Sequence, residues 1–344
     1  MKRIVHITPT LPPAINGLGD FSFLLSQTLE ELYPSEAFFL VKDLPPGNKA
    51  GQVTEFSAAD FYTKLSDCRP DVVMLHFVNY AYQEKGLPFY MPKALKKLKQ
   101  HTNCKVLVYF HELYATSTSM LRTAYYTTYL QKIIVKQLYA LADQTFTNCQ
   151  LYKVLLSELL KGKPNTLIVT GLCANIPEAY YNKSIRKEDA AMVIFGSQSS
   201  RASIYGNPLF NNVIKNAGIQ TIYDIGAGHM SYTGAQVQFN ALGKLPAEDI
   251  APYLNRCAYG ALDYPPHLLG KSGILSAYAA YGVMPINFNA IKEEILDGLT
   301  NGADYFDTAS ALPVKDAEAA RTRLLAWYKK RNQKSIATSV IQTL

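Results

Sequence analysis

Cysteine is scarce in this chain: Cys68, Cys104, Cys149, Cys173 and Cys257 are odd in number, widely scattered and set mostly in apolar surroundings. That distribution argues against a disulfide framework or a zinc site and fits a reducing, cytoplasmic setting. No stretch approaches the apolar length of a membrane-spanning helix, and the apolar part of MKRIVHITPT is too short and interrupted for a signal peptide. Any membrane contact is therefore expected to be peripheral, at the inner face. Tryptophan is nearly missing, one residue against 24 tyrosines, and the tyrosine excess suits half-wet surfaces such as clefts and interfaces. Short-period repeats and low-complexity tracts are absent, as is the GxxxxGK[ST] spacing of a P-loop. No Asp-x-Asp pair closes a strand, so the site residues imply no metal.

What remains is the composition of a globular protein, 48% hydrophobic and 18% charged over 344 residues, enough for two domains of about 150 residues each. The net charge of +7 favours anionic partners in general. Its densest local expression is PKALKKLKQH, where Lys93, Lys96, Lys97 and Lys99 make a basic helix that reads as a solvated face or a membrane-surface contact. Apolar strand-like runs alternate with helical periodicity almost throughout, which predicts an α/β protein with parallel sheets covered by helices. The first half offers RIVHIT, AFFLVKD, DVVMLHFV, KVLVYFHE, QTFTN and NTLIVTG as strands; the second offers MVIFGS, QTIYDIGAG, ALGKL, YGALDYP, VMPINF and ADYF. Helices are expected over FSFLLSQTLEELY, with Asp20 as its cap, and over LRTAYYTTYLQKIIVKQLYALA. A polar, irregular segment from about Ala174 to Asp189 reads as the linker.

The most informative stretch is DYPPHLLGKSGILSAYAAYGVMPI, residues 263 to 286, which reads as strand end, glycine turn, small-residue helix and next strand. Such a unit aims a helix start at the mouth of a parallel sheet, where backbone N–H groups and the helix dipole attract a phosphate. Lys271 and Ser272 add a cation and a hydroxyl, and Gly270 and Gly273 permit close backbone approach. Similar turns end other strands. Gly196 and Ser197 in FGSQSSR are followed by Arg201, whose guanidinium suits a diphosphate, and Gly226 sits in DIGAGH. In the first half, His111 and Glu112 end the strand KVLVYF, a position where a histidine can serve as general base with an acid beside it. His76 on the neighbouring strand is placed to line the same site.

These segments resemble the GT-B glycosyltransferases, whose donor segment reads Glu-Gly-Phe-Gly, a few apolar residues, Glu-Ala-Met-Ala, one residue, Gly-Val-Pro. Aligned on Gly282, the chain keeps Gly270, Ala280, Gly282 and Val283; Leu269 and Ala277 stand where the two acids are expected, Tyr278 and Ala279 replace alanine and methionine, and Met284 precedes Pro285. Asn16-Gly17-Leu18-Gly19-Asp20 is similar to the Gly-Gly-x-Gly-Asp loop of the family, and VYFHELYA to the strand-and-loop signature of a bacterial subset. The resemblance implies two doubly wound Rossmann-like domains facing across a cleft: an acceptor domain over 1–175, a donor domain over 176–332, and a terminal helix over 333–344 crossing back to the first. It implies a sugar moved from a nucleotide diphosphate sugar to a glycan or lipid-linked acceptor, with no further cofactor and no nucleic-acid partner. His111 and Asp20 would be catalytic. Gly17, Gly19, Gly196, Ser197, Arg201, Gly226, Gly243, Leu245, Gly270, Lys271, Ser272 and Gly273 would hold the donor, and His76, Glu112 and Tyr114 the acceptor.

Three alternatives stay open. The missing acids fit a nucleotide-sugar-binding subunit without turnover, and a nucleotide-sugar epimerase would use the same fold. Gly17 and Gly19 with Asp43 after the second strand fit a dinucleotide-dependent oxidoreductase, although Ser22 occupies the third glycine position of that fingerprint.

Overall fold

A computed structural model describes the chain except residues 15, 49, 116–122, 164, 235, 290 and 292–296 and the side chains of 123–125. The expected helix start at 121 and 122, and the Tyr125 side chain, lie outside the described residues. The chain divides into two compact units, Met1–Thr170 with Gln333–Leu344, and Gly171–Asn332. The passage to the second unit falls ahead of the boundary expected at 175.

The first unit runs β1 (Lys2–Thr8), α1 (Gly17–Leu32), β2 (Ser35–Val41), β3 (Val53–Glu55), α2 (Phe61–Asp67), β4 (Val72–Phe77), α3 (Asn79–Tyr82), α4 (Tyr90–His101), β5 (Lys105–Phe110), α5 (Thr123–Leu141), β6 (Gln144–Thr147), α6 (Gln150–Leu159) and β7 (Ile168–Val169). Its strands pair in the order β3-β2-β1-β4-β5-β6-β7, parallel throughout. Sequence periodicity anticipates all of these strands except β3, which has three residues and no fully buried position. β4, VVMLHF, is buried at every position, as a central parallel strand covered on both faces must be.

The second unit runs β8 (Glu188–Phe195), α7 (Gln198–Tyr205), α8 (Phe210–Asn216), β9 (Thr221–Ile225), β10 (Gln238–Gly243), α9 (Ala247–Arg256), β11 (Cys257–Leu262), a 3-10 turn over Pro266–Lys271, α10 (Gly273–Tyr281), β12 (Met284–Asn287), β13 (Phe306–Asp307) and α11 (Ala317–Lys329). Its sheet order is β10-β9-β8-β11-β12-β13. α10 is buried from Leu275 to Tyr281 and stops at Gly282, whose φ of 64° is the left-handed conformation glycine adopts without strain. Tyr278, on the helix position where the resembled family has alanine, donates to the carbonyls of Val193 and Ala261 at 3.1 and 2.9 Å. Gly260 makes room for that ring, since a Cβ there would lie 2.4 Å from it.

The last helix, α12 (Gln333–Ile341), belongs to the first unit and packs on α1. Lys2 and Lys105 donate their amines to the Leu344 carbonyl at 2.6 and 3.0 Å, tying the final residue to the amino ends of β1 and β5.

Candidate functional site

In a doubly wound sheet, ligands gather at the carboxyl ends of the strands where the strand order reverses. In the first unit the reversal falls between β1 and β4, beside which β5 delivers His111. There the structure builds a file of three imidazoles. His6 Nδ1 lies 3.2 Å from His76 Nε2, and His76 Nδ1 lies 3.4 Å from His111 Nε2. All three rings are buried, His6 and His76 completely. Phe21 of α1 meets His111 edge-on, with ring centroids 4.9 Å apart, and Tyr109 stacks on it at 4.4 Å. Burial pushes the His6 pKa down to about 3, and burial with two neighbouring imidazoles holds His76 well below the ordinary histidine value.

Neutral imidazoles carry one N–H each, so the two contacts must run in one direction along the file. In one direction His6 donates to His76 and His76 to His111 Nε2. In the other His111 Nε2 donates inward and Nδ1 becomes its basic nitrogen. His6 Nε2, at the inner end, is buried without a hydrogen-bond partner. The expectation that His76 contacts an acceptor is therefore corrected: both of its ring nitrogens face histidines and no part of it reaches solvent. His6, which the sequence reading passed over, is its inner neighbour. The signal was present only as a polar residue inside the apolar run RIVHIT.

Around this file, Glu112 is exposed after β5, and the Tyr114 hydroxyl donates to the Leu155 carbonyl at 3.5 Å while the Lys132 amine sits 4.9 Å over its ring. Asn79 donates to the Leu113 carbonyl at 2.6 Å, fixing the loop that follows His111, and its buried Oδ1 has no hydrogen-bond partner. Asp20 does not cap α1. Asn16 does, its Oδ1 accepting from Leu18 and Gly19 amides at 3.0 and 3.1 Å, so Gly17 and Gly19 lie inside the first turn. Gly19 is needed there because a Cβ would come 2.6 Å from the Thr10 carbonyl oxygen; Gly17 has open space around it. Asp20 is half-buried one position further on, and burial pushes its carboxyl up to about 6.

The second unit brings its glycine turns to one edge. Its strand order reverses between β8 and β11. Gly196, after β8, would place a Cβ 3.0 Å from Ile274 in the first turn of α10, and Gly226, after β9, would place one 2.4 Å from the Gly196 carbonyl oxygen. The Gly226 amide donates to the Gly243 carbonyl at 2.8 Å. Gly226, Ala227, His229, Met230, Gly243 and Lys244 line an open pocket of about 310 Å³ in which Lys244 is an exposed cation. Leu245 beyond it packs against the core. Ser197 caps α7, accepting from the Ser200 amide at 3.2 Å, and Ser272 caps α10, accepting from the Leu275 amide at 3.2 Å. Lys271 stands just before that cap, half-buried. Gly273 has Asn175 at ordinary contact distance, 3.6 Å.

Two expectations fail on physical grounds. Arg201 is 1% exposed; its guanidinium grips the Asp224 carboxylate and donates to the Ala227 and Gly228 carbonyls. It is a core ion pair that fixes the loop after β9, not a cation presented to a diphosphate. Gly270 is close-packed for a different reason from the one expected: a Cβ there would fall 2.3 Å from the Asp297 carboxyl carbon. Leu269 and Ala277, where the resembled family carries acids, are fully buried in the core of this unit. Among the described residues no group of three His, Cys, Asp or Glu side chains is placed to hold a metal.

Two doubly wound parallel sheets with the terminal helix returned to the first are the GT-B fold, and comparison with solved structures agrees. The chain is similar to the lipopolysaccharide outer core galactosyltransferase WaaB in its apo form, with 12% identity over 99% of this chain and 100% of that one and a TM-score of 0.59. It is similar to the pneumococcal O-GlcNAc transferase GtfA in complex with UDP and GlcNAc, at 9% identity over 99% and 98% of the two chains and a TM-score of 0.61. An alpha-glucosyltransferase in complex with UDP and a 13-mer DNA matches at 13% identity over 98% and 94%, with a TM-score of 0.57. At such identities the likeness is one of fold. No family model matches the chain, nor does any curated protein. Because one of these structures holds DNA, the fold gives no ground for the expectation that nucleic acid is excluded as a partner.

Proposed function

We propose that the protein transfers a sugar, a hexose in the simplest case, from a nucleoside diphosphate sugar to an acceptor, in the synthesis of a glycan or glycolipid. The observation that carries the reading is the convergence of the Gly196 turn, the Gly226–Lys244 pocket and the start of α10 on one sheet edge of a fold shared with UDP-binding transferases. In this reading the helix start and the backbone amides at the glycine turns receive the diphosphate, with Lys271 and Lys244 as its cations. The pocket beside Gly243 and Leu245 takes the base. His111 accepts the acceptor proton, its orientation fixed by His76 and Tyr109, and Asp20 is the second proton acceptor of the first unit. Glu112, Tyr114 and the loop held by Asn79 would face the acceptor.

Peripheral attachment to an anionic membrane belongs to the same proposal. No helix among the described residues is long and apolar enough to cross a membrane. Lys93 and Lys96 are exposed on α4, and Tyr126 and Tyr129 on α5 are 68% and 72% exposed.

The test is release of UDP from UDP-glucose, UDP-galactose and UDP-N-acetylglucosamine, with and without acceptors, beside a thermal-shift titration with UDP. Failure of UDP to raise the melting temperature would remove the donor site. The buried, apolar Leu269 and Ala277 favour one second reading, a subunit that binds the nucleotide sugar without turning it over; it predicts the thermal shift with no UDP release.

A further inference from the structure

At the opposite edge of the second sheet from the glycine turns, beside the start of β8 and the end of α10, lies a cavity of about 790 Å³. Five cations line it: Lys183, Arg186, Lys187, Arg321 and Lys329. The acids on the same wall are Glu178, Asp189 and Glu318. The balance of sign matters less than depth. Asp189 and Glu318 have side chains 82% and 86% exposed and stand 3.8 and 3.9 Å from the Arg321 guanidinium, outside hydrogen-bond range. Glu178 accepts from the Tyr328 hydroxyl at 2.7 Å. The Arg321 side chain is only 16% exposed, and its Nε and Nη2 are buried with no hydrogen-bond partner. Lys187 is the second deep cation, its amine donating to the Leu254 carbonyl.

Both cations are half-buried and near enough to repel; Arg321 has carboxylates only at the outer edge of ion-pair range and the Lys187 amine has a carbonyl, so their charge is only partly compensated. That incomplete compensation agrees with the lowering of the Lys187 amine to about 7 by burial, which Cys257 opposes and Arg321 reinforces. A tetrahedral dianion resolves it, since it accepts from a guanidinium fork and an ammonium at once. The cavity meets the end of α10 at Ala280, Tyr281 and Gly282, so the five cations must outweigh the negative end of that helix's dipole. The volume exceeds what inorganic phosphate fills and matches a small organic ligand. Tyr181 and Ile185, each 37% exposed, give such a ligand apolar wall.

We propose that this cavity binds a small organic phosphate, with the phosphate between the Arg321 guanidinium and the Lys187 amine and the organic body against Tyr181 and Ile185. The site is separate from the proposed donor site and stands whether or not that reading holds. Binding draws a proton onto Lys187, which is faced by Arg321 from α11, by Cys257 at the start of β11 and by the Leu254 carbonyl of α9, with the Asp189 carboxylate on the same cavity wall.

The experiment is calorimetric titration of the full chain with inorganic phosphate and with a hexose 6-phosphate, in the absence of nucleotide; variants of the cavity, which leave the glycine-turn edge intact, assign the heat to this site. Saturable binding, tighter for the hexose phosphate, is expected. At pH 7.5, heats in buffers of different ionisation enthalpy should reveal proton uptake, and affinity should fall as pH rises above about 7. Arg321→Gln should weaken binding by about tenfold to a hundredfold, and Lys187→Met should abolish the proton uptake. Arg186→Glu, on the exposed rim, tests the same site in a variant whose fold is not at risk, and should weaken binding severalfold. Absence of binding at millimolar phosphate ester, or unchanged affinity in both arginine variants, overturns the proposal.

Discussion

His76 Nδ1 lies 3.4 Å from His111 Nε2, and that contact makes the tautomer of a candidate base depend on a residue no substrate can touch. His111→Ala should retain its fold and UDP affinity and lose about two to four orders of magnitude in transfer rate. His76→Leu should lower the rate less and leave donor KM unchanged. Nitrogen NMR of the imidazoles gives the readout that simple destabilisation would not move. The wild type should show His111 in a single tautomer and the variant a mixture. An unchanged rate per folded molecule in both variants returns the file to a purely architectural role.

Acid stability should report the same file. His6 has a folded pKa of about 3 against an ordinary 6.5, and His76 is lowered in the same direction. Between those values the unfolded chain binds protons that the folded one refuses. Stability is therefore complete above about pH 6.5 and falls below it, by up to about 1.4 kcal/mol per pH unit for each histidine. Urea unfolding from pH 7.5 to 4.5 measures the slope, and His6→Phe should flatten it. A slope identical in wild type and variant would show that His6 does not stay neutral.

Asp20 should shape the pH dependence of activity. Its carboxyl, pushed up to about 6 by burial, is half-ionised near that pH. If it accepts a proton in the reaction, the rate rises through about pH 6 and levels off above it. Folding runs the other way: the folded state favours the protonated carboxyl, so stability contributed at low pH is lost as pH rises through about 6. Asp20→Asn should remove both trends, raising the melting temperature at pH 8 while abolishing the acid limb. Retention of the limb in the variant assigns it to another group.

Arg201→Ala should be a stability variant. Removing one partner of a buried ion pair leaves Asp224 uncompensated, at a cost of about 3 to 5 kcal/mol. Chemical denaturation checks the loss. Arg201→Ala molecules that remain folded should bind UDP as the wild type does, whereas Lys244→Ala, in the open pocket, should bind it more weakly with unchanged stability. The reverse pattern would restore Arg201 as a ligand contact.

Membrane recruitment, tested by flotation with anionic and neutral vesicles, should depend on Lys93 and Lys96. Lys97 already lies 3.9 Å over the Tyr62 ring and Lys99 pairs with Asp143 at 2.7 Å, so half of the basic run is engaged within the fold. Lys93→Glu with Lys96→Glu should abolish a salt-sensitive preference for anionic vesicles. Equal recruitment by both vesicle types would mark α4 as a solvated surface.

The chain's own pattern determined the fold class, nearly every strand, and the placing of glycine turns after strands, because the alternation of apolar runs with helical periodicity and Gly or Asn punctuation is a local property that any doubly wound sheet requires. It determined that the Lys271–Gly273 turn begins a helix, since the cap at Ser272 and the stop at Gly282 are local as well. It could not determine which polar residues face inward. Arg201 reads as the cation of a diphosphate site until β9 brings Asp224 beside it, and His76 reads as a site residue until β1 and β5 place His6 and His111 at its two nitrogens. Gly19 and Gly270 read as ligand-facing glycines until the Thr10 carbonyl and the Asp297 carboxylate occupy the space a side chain would need. Lys187 and Arg321 are far apart in sequence and unremarked in it. Each of these depends on strand order and cross-element distance, and burial of a charge becomes costly or useful only once another element closes over it.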